Sequence, residues 1–427
     1  MYHLLRFLST QHAVTLLTFA PDEAAVAMLE PLREWCRVIT VVGPPRRSLV
    51  RRGWDSLTSR QPDMAFRNQS PTYRETLFRL LQAEPFDVVQ AESIEMANYG
   101  LEIATKQQPG TNHTPLLVLD EFNAEYIIQQ RAARNSLATL AAWFRPTHAA
   151  HTRPIPTPHL SPRLLLAAPY SLIQWRKLVA YERRLLRSYH HIIAVSEEDR
   201  RALRRLHAHA PVSIVPNGVD TNHFSPAALS SCPILPNTTP DRSPVLVFTG
   251  SLDYRPNIDA VEWFVGAVLP LVQQHHTPTV RLTIVGRQPD ASIRSLHNGE
   301  TIDVVGNVPD VRPYIARASV YVVPMRIGGG VRLKLLEALA MQAPVVSTSM
   351  GAEGVQGLHN QKHLLLADDA EAFSRAICRL LNDPTTSRHL GEAGRDFVCT
   401  HYDWRIIAPR LNQVYEQHHR ASATERK

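Results

Sequence analysis

Short apolar runs and stretches of helical periodicity take turns along this chain. The runs at 14–19, 37–42, 87–90, 116–120, 192–195 and 212–215 read as strands, as do those at 245–249, 281–285, 302–305, 320–323 and 344–348. Between them, apolar residues recur every three or four positions at 2–9, 22–35, 73–83, 122–134, 172–189, 257–271 and 404–418, which predicts helices. Strands that alternate with helices predict an α/β fold with parallel sheets covered on both faces. The basic stretch 46–52 reads as surface loop. Prolines and histidines crowd 145–162, where Pro154, Pro156, Pro158 and Pro162 forbid a regular element. Residues 227–244 combine prolines, serines and threonines without periodicity, which is linker composition. The expected organisation is a Rossmann-like domain over 1–226, a linker over 227–244, a second Rossmann-like domain over 245–400, and a C-terminal helix over 401–420 that packs across the domains.

The stretch 325–340, MRIGGGVRLKLLEALA, carries the strongest chemical signal. A buried strand ends at Pro324, the glycines Gly328, Gly329 and Gly330 follow, and then helical periodicity begins. Glycines let the backbone turn and let a ligand come close. A helix start offers unpaired N–H groups and the positive end of the dipole, which suits an anion. Arg332 and Lys334 fall in the expected first turn, the end of a helix where cations oppose the dipole. A diphosphate seated between them would account for both. The plain alternative is that the two side chains point into water. Glycine also follows other strands of this half, at Gly250-Ser251, Gly286-Arg287 and Gly306, the layout of a nucleotide-binding doubly wound domain. In the first half, Asn123, Glu125 and Tyr126 follow a strand that ends at Asp120, where α/β proteins place ligands. Those residues fit equally well as a helix start with Asn123 as N-cap.

Composition changes this picture little. The 427 residues are 44% hydrophobic, enough for two ordinary domains. No apolar run approaches the roughly 20 residues of a membrane span, and the N-terminus lacks a signal-peptide pattern. The four cysteines, Cys36, Cys232, Cys378 and Cys399, lack CxxC spacing, and His148, His151 and His159 match no compact ligand set. No metal site is expected, and reduced thiols place the chain in the cytoplasm. The net charge of +7 admits a phosphorylated substrate or contact with the inner face of a membrane. No nucleic-acid motif accompanies it, and nucleic acid is not an expected partner.

The series VSEEDRRAL, VPNGVDTNHFSP, FTGSLDYRPNIDAVEWF, LTIVGRQP, the long segment VGNVPDVRPYIARASVYVVPMRIGGGVRLKLLEALAMQAPVVST, and GAEGV resembles the retaining GT-B glycosyltransferases of group 1, the family 4-like type. The resemblance runs over residues 2–415. It implies two Rossmann-like domains facing a cleft, with a nucleotide diphosphate-sugar donor on the C-terminal one. The acceptor, on the N-terminal one, would be a glycan, a lipid-linked sugar or a small molecule. It implies no cofactor beyond the donor, and no metal requirement. Glu337 matches the glutamate that hydrogen-bonds the donor ribose. Gly328, Gly329, Gly330 and Val331 would meet the diphosphate or sugar, Gly250 and Ser251 the diphosphate, and Gly306, Asn307 and Val308 the base.

The departures from the family pattern define the open questions. Gly329 stands where many relatives have a second glutamate. Ser251 and Asn257 stand at the positions of a basic pair, a role we assign to Arg332 and Lys334 as catalytic cations, with Arg255 and Arg326 in reserve. Phe122 replaces a histidine before Asn123. Relatives begin with a strand and a glycine-rich loop, whereas Met1 stands where the following helix starts, so the first strand is expected to be missing, with the true start upstream. Transfer of a sugar to an acceptor hydroxyl is the expected activity. The alternatives are a non-catalytic sugar-nucleotide-binding protein, or an epimerase or phosphorylase on the same architecture.

Overall fold

The eleven apolar runs become strands, a twelfth forms at Leu365–Leu366, and every pairing between them among the described residues is parallel. The computed structural model describes residues 2–105, 114–143, 162–231, 243–276, 279–328 and 331–425. The chain forms two units, Met1–Val215 with Ala408–Lys427, and Pro216–Ile407.

In the first unit, β1 (Thr15–Ala20) pairs with β2 (Arg37–Val42), while β3 (Val88–Glu92), β4 (Leu116–Glu121), β5 (His191–Ala194) and β6 (Val212–Ile214) form a separate four-stranded sheet in that order. Leu117, Leu119, Ile192 and Ile193 are fully buried on the four-stranded sheet, where the helix Pro162–Ser188 contributes Leu178, Leu185 and Leu186 to the core. The strands read as unbroken apolar runs because both of their faces are covered. Tyr73 donates its hydroxyl to the Leu17 carbonyl of β1, 2.9 Å away. The helix Trp404–Glu425 returns to this unit, where His12 and Asn412 share a hydrogen bond of 2.6 Å and Tyr415 donates to Gln90.

In the second unit, β7 (Val245–Thr249), β8 (Arg281–Val285), β9 (Ile302–Gly306), β10 (Val320–Val323), β11 (Val345–Ser347) and β12 (Leu365–Leu366) build one sheet in the order β12-β11-β10-β7-β8-β9. The chain runs outward from β7 to β9, then crosses back to β10 and runs outward the other way. The order therefore reverses between β7 and β10, and a doubly wound sheet binds its ligand at that point, beyond the strand carboxyl ends. Phe248, Phe264, Tyr321 and Phe373 fill the core beneath.

Several elements differ from the sequence expectation. The helix expected over 22–35 is Glu23–Met28, capped by Asp22, followed by a 3-10 turn, Glu30–Glu34, that begins around Pro31. The helix expected over 257–271 is Arg255–Trp263, continuing through a π-helical turn at Phe264–Val268 into Leu269–His275, where Pro270 has no N–H to give the preceding turn. The stretch read as basic loop contains the start of a helix, Leu49–Thr58, with Ser48 accepting from the Arg51 amide as N-cap. The helix Ala97–Thr105 had no counterpart in the reading. Of the stretch read as irregular, Pro162 instead opens the helix Pro162–Ser188, where a missing N–H costs nothing, while 145–161 and the middle of the linker, 232–242, lie outside the described residues, and with them His148, His151, His159 and Cys232.

Candidate functional site

The carboxyl ends of β7 and β10 bring together most of the side chains singled out in the second half. β10 ends at Val323, and the chain passes Met325 and Gly328 before the helix Leu333–Ala340 begins. Gly329 and Gly330 lie outside the described residues. The helix starts at Leu333, two residues after the periodicity begins, so Arg332 is its N-cap, with φ −86° and ψ 98°, and only Lys334 lies in the first turn. Arg332 is nonetheless buried, at 9% exposure. Its guanidinium lies against Gly328, whose φ is +124° and where a Cβ would come within 2.3 Å of Nη2.

Lys334 reaches across the strand-order reversal. Its ammonium donates to Asn257 Oδ1 at 2.8 Å and sits 4.0 Å from the centre of the Phe248 ring on β7. Asn257 in turn donates Nδ2 to the Ser251 carbonyl, 2.8 Å away. Gly250 has φ +155°, and a Cβ there would stand 2.6 Å from Lys334 Nζ. The loop after β7 is thus folded over the lysine. Burial, and secondarily the charge of Arg332, pulls the Lys334 ammonium down to about 7, with Glu337 opposing. Burial likewise pushes the Glu337 carboxyl up to about 7 against the pull of Lys334. A buried cationic pocket that loses its charge near neutrality is one that an entering anion would stabilise.

The remaining candidates divide. Ser251 lines the same loop, its Oγ accepting from Arg287 Nε at 3.0 Å. Arg287, at the carboxyl end of β8, and Phe248 under the lysine were not selected from sequence. Asn257 was noted only as a replaced cation. A cation following a strand-end glycine was the available signal for Arg287. Gly306, with φ +79°, ends β9 and accepts from the Gly286 amide; Asn307 is exposed and Val308 half-buried beside it. Val331 packs on the core. Arg255 opens the helix Arg255–Trp263 and is exposed. Arg326 is committed elsewhere: it grips Asp259 through Nε at 3.0 Å and Nη2 at 2.6 Å, and lies over the Trp263 ring.

In the first unit, the loop after β4 is pinned from below by buried acids. The Ala124 amide donates to Asp199 Oδ1 at 3.0 Å, and the Tyr126 amide to Glu182 Oε1 at 2.7 Å. Asp199 is held by its own helix start, where its amide donates to Ser196 Oγ. Asn123 and Glu125 are half-buried on this loop and hydrogen-bonded to each other, and Phe122 is exposed. Burial, reinforced by Glu95, pushes the Glu125 carboxyl up to about 7. Asp120, Glu121 and Glu182 are held well above the usual carboxylate range, first by burial and then by neighbouring acids: Glu92 for Asp120, Glu125 for Glu121 and Glu121 for Glu182. None of Glu121, Glu182 or Asp199 was selected from sequence.

Residues 243–383 match the model described as "Glycosyl transferases group 1", and residues 118–223 the model described as "Glycosyltransferase Family 4". The two matches fall on different parts of the chain and do not overlap. Among curated relatives, the lipopolysaccharide core biosynthesis mannosyltransferase LpcC of Rhizobium leguminosarum bv. viciae is 26% identical over 60% of this chain and 72% of its own length. A phosphatidyl-myo-inositol mannosyltransferase of Mycobacterium leprae is 33% identical, over 32% of this chain and 38% of its own. Several such matches therefore span less than half of the relative's length. The chain also shares its fold with a solved structure, Anabaena Alr3699/HepE in complex with UDP, at a TM-score of 0.58 and 13% identity, covering 97% of this chain and 95% of that one. The fold is GT-B. Among the described residues, no helix is long and apolar enough to cross a membrane, and no group of His, Cys, Asp and Glu could hold a metal ion.

Proposed function

We propose that this glycosyltransferase moves a sugar from a nucleotide diphosphate-sugar to an acceptor hydroxyl with retention at the anomeric carbon. The observation that carries the reading is the buried Lys334 ammonium, 2.8 Å from Asn257 at the strand-order reversal, with Arg332 as the N-cap of the same helix. The bond from the anomeric carbon to the leaving phosphate oxygen breaks as the bond to the acceptor oxygen forms, and the hydroxyl proton departs with the diphosphate. Lys334 and Arg332 would meet the charge that builds on the leaving group, away from water. Glu337, on the same helix as Lys334, would hold the ribose. Gly306, Asn307 and Val308 would lie near the base, and Gly250, Ser251, Gly328 and Val331 near the diphosphate or sugar. Asn123 and Glu125 would contact the acceptor. The UDP complex of the Anabaena structure, and the lipopolysaccharide core and the phosphatidyl-myo-inositol in the names of the two mannosyltransferases, support this assignment of classes. The net charge of +7 supports an acceptor met at an anionic membrane surface on the cytoplasmic side.

A panel of UDP-, GDP- and ADP-sugars in a thermal-shift assay tests the donor site, because a ligand at about 100 times its Kd adds about 2.7 kcal/mol to folded-state stability. A shift with one nucleotide supports the site and names the base. No shift with any of them from a cooperatively folding protein defeats the reading. Phe122 favours a second reading, since it puts an exposed apolar ring where the resembling enzymes carry a histidine. Donor binding without sugar transfer to any acceptor would support that non-catalytic alternative.

A further inference from the structure

The helix Leu49–Thr58 is amphipathic in the inverted sense: its polar face packs inward and its apolar face points out. On the inner side, Asp55 pairs with Arg47 at 2.6 Å, and Arg52 pairs with the buried Asp63 at 3.0 Å. Ser56 is buried, accepting from Gln174 Nε2, and its carbonyl accepts from Lys177 Nζ at 2.7 Å. On the outer side, Val50, Trp54 and Leu57 are 84%, 65% and 78% exposed, at positions i, i+4 and i+7 of one stripe. Ordinary surface helices show the reverse arrangement. Tyr170 and Ile173 are also exposed, on the turns of the helix Pro162–Ser188 that lead to Gln174 and Lys177.

Charge around the stripe is sorted by sign. The acids of this stretch, Asp55 and Asp63, are turned inward and paired with arginines. Arg46, Arg51, Arg60 and Arg176 are exposed. A tryptophan among aliphatic residues, rimmed by arginines and lacking an outward acid, has the chemistry of an element that lies in the headgroup layer of an anionic bilayer. We infer that this helix docks the protein on an anionic lipid surface, with Val50, Trp54 and Leu57 entering the headgroup boundary and the arginines meeting lipid phosphates. The inference deepens the membrane-surface reading above, but it rests on this helix and not on the transfer chemistry.

The test is co-sedimentation of the full chain with vesicles of phosphatidylcholine alone and of phosphatidylcholine mixed with phosphatidylglycerol. The chain is expected to bind the anionic vesicles, and added salt is expected to weaken binding. The exposed double substitution Trp54→Ser and Leu57→Ser should lower that affinity by about tenfold or more, since two exposed side chains lose their burial in lipid. Its melting temperature and its donor-induced thermal shift should match those of the parent chain, which separates failure of this inference from failure of the donor site. Equal binding by parent and variant, or no binding of the folded parent to anionic vesicles, overturns the inference. So does a dimer of the parent in sedimentation that the double substitution dissociates, because the stripe would then join two copies.

Discussion

Lys334 gives its ammonium to Asn257 Oδ1 at 2.8 Å while lying 4.0 Å from the Phe248 ring, so one face of the cation is apolar and the other offers a single neutral acceptor. Nothing in that arrangement replaces the water the ammonium has left. The lowered value of about 7 follows from that burial. If a donor diphosphate enters, its charge should raise the value again. Donor binding is therefore expected to take up protons between about pH 7 and pH 9, and affinity should fall as pH rises through that range. Calorimetry in buffers of different ionisation enthalpy measures the uptake directly. Binding with no proton uptake would remove Lys334 from the diphosphate.

Replacing Lys334 with alanine should lower kcat/KM at least about tenfold, equivalent to about 1.4 kcal/mol of transition-state stabilisation. The substitution removes a side chain that lies over the Phe248 ring and none of the apolar core itself, so folding should persist. Unchanged kcat/KM with normal donor affinity would refute the assignment. Arg326 is the internal control. Its guanidinium already has a carboxylate partner in Asp259 and a ring beneath it, on a pair that is substantially exposed. Arg326→Ala should change donor affinity by less than about twofold, since exposed pairs contribute only about 0–1 kcal/mol.

The strand-glycine-helix pattern at 320–340 was legible because each part has its own signature: an unbroken apolar run, then glycines, then helical periodicity. The partner of Lys334 was less legible. Asn257 lies 77 residues away in sequence, and only the crossing from β9 back to β10 brings the two together. The buried acids under the first-unit loop were hidden for a different reason. Sequence pattern treats Glu121 and Glu182 as surface residues, since isolated charges are rarely buried. The helix Leu49–Thr58 was hidden by its inverted faces: its apolar positions are correctly spaced, but the arginines between them suggested loop.

Gly250 joins two constraints, a positive φ of +155° and a Cβ position occupied by Lys334 and Asn257. Gly250→Ala should cost roughly 1–3 kcal/mol of stability from backbone strain, and should also displace the lysine. The expected readouts are a lower melting temperature together with a smaller donor-induced shift. A variant as stable as the parent, with the same donor-induced shift, would mean that the loop after β7 adjusts freely and does not set the lysine.

Glu121 offers a separate test in the first unit. Its side chain is 1% exposed, and among the described residues neither carboxyl oxygen meets a hydrogen-bond partner. Burial first, then the charges of Glu125, Asp199 and Asp120, hold its carboxyl well above the usual carboxylate range. The sign follows from proton binding. Above about pH 4.5 the unfolded carboxyl has released its proton while the folded one retains it, so this group's contribution falls as pH rises, by up to about 1.4 kcal/mol per pH unit. Glu121→Gln keeps the shape and is neutral at every pH. Its melting temperature relative to the parent should therefore climb as pH rises above about 5. A difference that stays constant across that range would show that Glu121 does not bind its proton more tightly in the folded chain, and that the acids beneath the Ala124–Tyr126 loop carry charge at neutral pH.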